Sequence, residues 1–225
     1  MFLLGLTGDI ACGKSTVARL LQERGAFHID ADELVRELYA DRDFARDLQT
    51  HLRQFSAHRV LDNADTNIVD ANIVDANGAV DRRALSELVF ADATLLRELE
   101  ARVHPAVAQL RERKLAPLRA LPPPQVVVLE AVKLVESGQA RDCDFLWWIC
   151  ASHQTQLQRL TQNRGWSQTD AQARLRNQPS PEAKQKLLQE AGVPFVFLPN
   201  DGSFRELEVR VAAQWVNLEA QFIAH

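Results

Sequence analysis

Short apolar runs alternate along the chain with stretches in which Leu, Val and Ala recur every three or four residues, and the order of the two patterns predicts the fold. "MFLLGL" opens as a strand from Phe2 to Leu6, "KSTVARLLQER" carries helical spacing from Lys14 to Arg24, and a second strand follows from Ala26 to Asp30. A loop, Thr7 to Gly13, joins the first two, and Gly25 marks a natural helix stop. From Ala31 to about Phe55 charges interleave with Leu, Val, Phe and Tyr at helical spacing. Beyond Ser56 the period is lost until Asp81, which predicts a long surface loop or a short hairpin. "NIVDA" occurs there twice in succession, at 67–71 and 72–76, a unit too short for a solenoid and best read as a local insertion. Helical spacing resumes over Arg82 to Phe90 and Ala93 to Leu118, with an interruption expected at His104 and Pro105, and "PPP" at 122–124 closes this block.

Three further apolar runs, "QVVVLE" (125–130), "DFLWWIC" (144–150) and "VPFVFLP" (193–199), have the character of strands buried on both faces. Helices are expected over His153 to Asn163, Thr169 to Asn177, Pro181 to Gln189 and Phe204 to Ile223. Strands alternating with helices predict an α/β protein, a doubly wound parallel sheet of five strands, with a helical excursion between two visits to the sheet.

At 225 residues, 46% hydrophobic and 25% charged, the chain can bury a sizeable core as one large domain. A net charge of −4 argues against a nucleic-acid partner, so any anion site must be built locally. The apolar start has no basic leader and enters a glycine loop directly, which is unlike a signal peptide or a membrane span and makes the cytoplasm the expected location. Cys12, Cys143 and Cys150 contain no C-x-x-C pair and suggest neither a disulfide framework nor a zinc site. The last two flank "DFLWWI" and read as buried small residues, whereas Cys12, inside the opening loop, is open to a second reading as a redox-sensitive thiol.

That loop, "LTGDIACGKST", fits G-x-x-x-x-G-K-[ST] through Gly8, Gly13, Lys14 and Ser15. A strand that ends in a glycine loop and delivers a helix N-terminus aims backbone N–H groups and the helix dipole at one spot suited to phosphate. Lys14 adds a point charge near the β and γ phosphates, and the Ser15 hydroxyl can ligate magnesium. The residue pattern therefore predicts a P-loop nucleotide site.

Two enzyme classes use such a loop. "DANG", Asp75 to Gly78, matches the D-x-x-G of a GTPase switch, but it lies in the duplicated polar segment and no base-reading N-K-x-D follows. A small-molecule kinase needs instead a carboxylate to take the acceptor's proton and arginines to neutralise the transferred group. "IDADEL" puts Asp30 and Asp32 at the carboxyl end of the second strand, the edge where parallel sheets bind ligands. Asp30 could equally cap the following helix; Asp32 remains the candidate base.

"GLTGDIACGKSTVARLLQERGAFHIDAD" resembles the start of the dephospho-coenzyme A kinases, and further segments follow in order: "NGAVDRRALSELVF", "LEARVHPAV", "LVESG", "TQLQRL", "QARLRNQ" and "NDGS". The resemblance covers nearly the whole chain. It implies ATP-dependent, magnesium-assisted phosphorylation of the ribose 3'-hydroxyl of dephospho-coenzyme A, the last step of coenzyme A synthesis. By carry-over Gly8 and the run Ala11, Cys12, Gly13, Lys14, Ser15, Thr16 wrap the ATP phosphates, with Lys14 also catalytic, and Asp32 is the base and an acceptor contact. Arg82 and His104 would lie in an acceptor-binding helical insertion at 31–121, with His104 equally open to a helix-capping role before Pro105. Residues from about 154 to 190 correspond to the lid; Arg159 there is a catalytic candidate and Arg174 an ATP contact, each also readable as a solvated helix charge. Asn200 stands where the family reads the adenine. The chain would be one P-loop kinase domain acting on the small molecules ATP and dephospho-coenzyme A, with no nucleic acid or membrane partner, a monomer with an oligomer as the open alternative.

The match departs from the family in places. Positions 9, 11 and 12, usually glycine, glycine and serine, are Asp, Ala and Cys, and the Asp9 carboxylate is expected to point outward, away from the triphosphate. The lid has Asn163 where the family commonly has arginine, with Arg164 one place later. "EAVKLVE" stands for the usual Pro-Leu-Leu-Phe-Glu; Glu130 could hold magnesium through water or be structural, and Lys133 is a further candidate cation at the acceptor. A kinase for another nucleotide or nucleoside, or a nucleotide-binding module without turnover, are the alternatives.

Overall fold

The computed structural model describes residues 1–60, 72–90, 92–122 and 125–220. The first "NIVDA" copy, two of the three prolines at 122–124, and the expected helix end near Ile223 lie outside them. Five strands, β1 (Phe2–Gly8), β2 (Phe27–Asp30), β3 (Val126–Glu130), β4 (Phe145–Cys150) and β5 (Phe195–Pro199), form one sheet in the order β2-β3-β1-β4-β5. All neighbours are parallel: Leu3 stands opposite Val127, Gly8 opposite Ile149, Asp30 opposite Glu130 and Leu146 opposite Phe195. The doubly wound five-stranded sheet is as the apolar runs predict. Because the chain runs from β1 to β2 and back to β3 on one side of β1, then crosses from β3 to β4 on the other, the end of β1 is the point where the strand order reverses, the usual place for a ligand crevice.

Alternation along the strands sorts their side chains between two faces. Leu4, Leu6, Val126, Val128, Trp147 and Ile149 meet Val17, Leu20 and Leu21 of α1 (Lys14–Gln22) and Leu207, Val211 and Trp215 of α9 (Phe204–Leu218) in one core. On the opposite face Gly5 leaves room that Leu134, Leu146 and Cys143 fill; a Cβ there would collide with all three. Full burial of each Leu or Ile in this core contributes about 1.5–3 kcal/mol.

The chain forms two compact units, Met1–Asp30 with Pro117–His225, and Ala31–Ala116. The second is helical: α2 (Ala31–Ala40), α3 (Arg42–Val60), α4 (Arg82–Phe90) and most of α5 (Ala93–Arg119). The single helical stretch expected after Ala31 breaks at Asp41, whose carboxylate accepts from the N–H groups of Asp43 and Phe44 and so starts a new helix. Val74 and Val80 form an antiparallel bridge, and the Asp75 carboxylate accepts from Asn77 and Ala79 N–H. "DANG" is thus the turn of the short hairpin, which accounts for the D-x-x-G match without a switch.

The interruption expected at His104 and Pro105 is absent: α5 runs through both. Proline leaves the Ala101 carbonyl without its helical donor, a cost of ~3 kcal/mol in a buried setting. Here Ala101, His104 and Pro105 are exposed, so water can meet that carbonyl, while Leu95, Leu99, Val103 and Val107 hold the helix to its neighbours by a buried stripe at every fourth residue. A capping role for His104 falls with the interruption.

In the first unit the helix expected over His153 to Asn163 divides into α6 (His153–Gln158) and a π-helical turn, Arg159–Asn163. α7 (Gln168–Arg176) and α8 (Pro181–Ala191) follow. No helix among the described residues is long and apolar enough to cross a membrane.

Candidate active site

Every helix from α3 to α9 begins under an Asp or Ser side chain that accepts its first free N–H groups: Asp41, Asp81, Asp92, Ser152, Ser167, Ser180 and Ser203. α1 does not. Its N-cap is Gly13, in the left-handed region at φ 96°, with no capping side chain. The first-turn donors and the positive end of the α1 dipole are therefore left for an anion. Lys14 Nζ donates to the carbonyls of Gly8 at 3.2 Å and Asp9 at 3.5 Å, which folds the ammonium back over the loop. Gly8 is fixed by contact, since a Cβ there would strike the Ile149 carbonyl. Ala11, at φ 56°, is the sole positive-φ residue other than glycine among the described residues, a strain of about 1–2 kcal/mol that explains why glycine suits this position.

The loop is held from behind by residues far away in sequence. Asn200 Nδ2 donates to the Cys12 carbonyl at 2.8 Å, and its own N–H donates to the Cys150 carbonyl at 2.7 Å. The Arg159 guanidinium spans the carbonyls of Ala11 (3.2 Å), Cys12 (3.4 Å) and Asn200 (2.9 Å). Gln178 accepts from the Ile10 N–H at 2.9 Å and donates to Gln156 Oε1 at 3.3 Å. Arg159, from the segment read as the lid, and Asn200, just after β5, are thus brought to the loop; Arg174 is exposed on α7.

Asp9 does not point outward as expected. Its carboxylate is 7% exposed and pairs with Lys184 Nζ of α8 at 2.7 Å. The repulsion foreseen for it is met by a buried cation instead of by water. Cys12 is fully buried beneath the loop, and desolvation pushes its thiol up to about 11 despite the opposing charge of Lys14. A thiol so protonated is a poor nucleophile, which removes the redox-sensitive reading of Cys12.

Glu130, at the end of β3, is buried and connects two neighbours. Its Oε1 accepts from Ser15 Oγ at 3.4 Å, and its Oε2 meets His28 Nε2 at 3.0 Å. Two hard oxygen donors beside the anion-binding helix end suit a divalent cation that keeps several waters and takes its other ligands from phosphates. No cluster of three or more His, Cys, Asp or Glu able to hold a metal occurs among the described residues.

Asp32 is exposed in the first turn of α2, and Arg82 opens α4; His104, on α5, belongs to the same helical unit. Lys133 is exposed beyond β3. Lys184, Gln178 and His28 escape sequence reasoning. Gln178 at least closes the quoted segment "QARLRNQ", whereas nothing local marks Lys184 or His28.

A parallel sheet whose central strand delivers an uncapped, glycine-led helix carrying Lys14 and Ser15 at its first two positions defines a P-loop nucleotide-binding protein. A family model described as dephospho-CoA kinase matches residues 2–205. Dephospho-CoA kinases of Geobacter sulfurreducens (36% identical; 96% of this chain, 98% of the relative) and Geobacter metallireducens (37%; 96% of each) are similar along their whole lengths. Among solved structures, TT1252 from Thermus thermophilus superposes with a TM-score of 0.67 at 31% identity, covering 96% of this chain and 97% of the other. The dephospho-CoA kinase from Campylobacter jejuni shares the fold at a TM-score of 0.57 and 19% identity, covering 97% and 96%. The chain belongs to the dephospho-CoA kinase family, transferases of the last step of coenzyme A biosynthesis, as the motif resemblance implies.

Proposed function

We propose that this chain transfers the γ-phosphoryl group of ATP to the ribose 3'-hydroxyl of dephospho-coenzyme A, giving coenzyme A and ADP, with the following division of labour. Gly8, Gly13 and the amides from Ala11 to Thr16 cradle the phosphates, and Lys14 swings from the Gly8 and Asp9 carbonyls onto the β and γ oxygens. Asp32 accepts the proton of the 3'-hydroxyl as its oxygen bonds to the γ phosphorus and the bond to the β-phosphate oxygen breaks. Arg82, His104 and Lys133 bind the acceptor. Residues 154–190 act as the lid, whose closure excludes water as a competing acceptor; Arg159 adds charge at the transferred group, and Arg174 and Asn200 bind ATP.

Magnesium is the divalent ion assigned here; bound with ATP, it would supply positive charge against the phosphates. Ser15 and Glu130 would hold it, Glu130 through water. The enzyme acts as one kinase domain, a monomer in the cytoplasm, on small molecules and without nucleic acid or membrane.

The single observation that carries this reading is the uncapped N-terminus of α1 with Lys14 folded over it, in a chain of this family. Purified protein given ATP, magnesium and dephospho-coenzyme A should form coenzyme A and ADP in equal amounts. ATP binding without product would leave a binding module, and product with another nucleoside alone would reassign the acceptor.

A further inference from the structure

We propose that Asp9 and Lys184 are a positioning pair for the phosphate loop: Lys184 neutralises a carboxylate built into the loop and tethers that loop to α8, which leaves the cradle able to receive a triphosphate. The inference rests on the loop being the ATP site.

The side chains are 7% and 12% exposed and 2.7 Å apart, so water screens neither charge well. Asp9 is a loop residue in its own right. Its backbone carbonyl accepts from Lys14 Nζ at 3.5 Å, so the residue that carries this charge is also one that the phosphate-loop lysine leans on. A bare carboxylate here would oppose the incoming polyanion and compete for Lys14. Lys184 prevents both. Its ammonium is also placed 5.9 Å from the centre of the Trp148 ring, so the cation is fixed from the sheet side as well.

The next residue is tied in the same direction, since the Ile10 N–H donates to Gln178 just before α8. Two successive loop residues are therefore gripped by the segment that follows α7, one by charge and one by a neutral hydrogen bond. Each of the two charged side chains is engaged by the other. The pair acts through the loop.

Breaking a buried pair from one side leaves an uncompensated charge, whereas removing both charges does not. ATP binding is measured by calorimetry with magnesium present, first on the unaltered chain, where a failure to bind would defeat the ATP-site reading itself. Given that binding, Lys184→Met should raise the Kd for ATP by about 10-fold or more, Lys184→Arg should hold it within a few-fold, and Asp9→Asn added to Lys184→Met should recover most of the loss. A double variant no better than Lys184→Met would overturn the proposal, as would Lys184→Met binding ATP normally. If Lys184→Met does not fold, the double variant decides alone: folding with ATP binding supports the pair, and a chain that stays unfolded or folds without binding ATP refutes it, because removal of both charges should relieve the defect.

Discussion

Gly13→Ala is the substitution whose cost is best defined by geometry. At φ 96° and ψ 23° an alanine pays for left-handed backbone, about 1–2 kcal/mol. Its Cβ would also land on Asn200 Nδ2, which is buried and donates to the Cys12 carbonyl at 2.8 Å. Displacing that amide leaves a buried donor and a carbonyl unmatched, roughly 1–3 kcal/mol. Against this, alanine restricts the unfolded chain and returns about 0.4–1 kcal/mol. The net loss is roughly 1–4.5 kcal/mol, and at about 2–4 °C per kcal/mol for a chain of this size Tm should fall by about 2–18 °C. Thermal unfolding followed by circular dichroism reads this directly. The clash is separable from the backbone term: in an Asn200→Ala background the same Gly13→Ala step should cost only the left-handed part less the unfolded-chain gain, about 0–1.6 kcal/mol, and the difference is the coupling between the two sites. A Tm within about 2 °C of the parent, or an equal cost in both backgrounds, would refute the reasoning.

Asp32→Asn should keep ATP affinity within a few-fold while turnover falls by about 100-fold or more, and unchanged turnover would remove Asp32 from the mechanism. Glu130→Gln, which removes the charge shared by Ser15 and His28, should raise the magnesium concentration for half-maximal rate by about 10-fold, measured by titration at saturating ATP; an unmoved midpoint would make Glu130 structural. Native Cys12 should resist iodoacetamide at pH 8, where a thiol raised to about 11 is ionised in roughly one molecule in a thousand, and should react once the chain is denatured. Because its folded pKa lies above the 9.0 of a free thiol, the folded state holds the proton longer, so the Cys12 contribution to stability should be present below about pH 9 and decline between about pH 9 and 11. A Cys12→Ser chain with the same alkaline decline would show that other groups cause it.

The sheet was legible because buried parallel strands are written as uninterrupted apolar runs, and "QVVVLE" and "DFLWWIC" can hardly be anything else. The phosphate loop was legible for a different reason: Gly8, Gly13, Lys14 and Ser15 act at fixed local offsets, so spacing carries the chemistry. What the sequence hides is whatever arises from distant approach. Lys184 lies 175 residues from Asp9, and Asn200 lies 188 from the Cys12 carbonyl it holds, with no periodicity linking either pair. The error at Pro105 came from weighing a local helix breaker above a stripe of buried residues that continues on both sides of it.

The π-turn at Arg159–Asn163 has a consequence for how such a chain can change length. A helix that closes one turn with i→i+5 bonds takes up one residue more than an α-helical turn while advancing through nearly the same angle. An added residue absorbed this way leaves everything beyond it in phase, whereas in an uninterrupted α-helix it would rotate the remainder by about 100°. Arg164, which immediately follows the turn, consequently occupies the angular position that residue 163 takes in an unbroken helix. Since the π-turn already holds the extra residue, deleting one codon within it would restore an α-helical turn and leave Arg164 facing the way it already does, whereas a second insertion would rotate it.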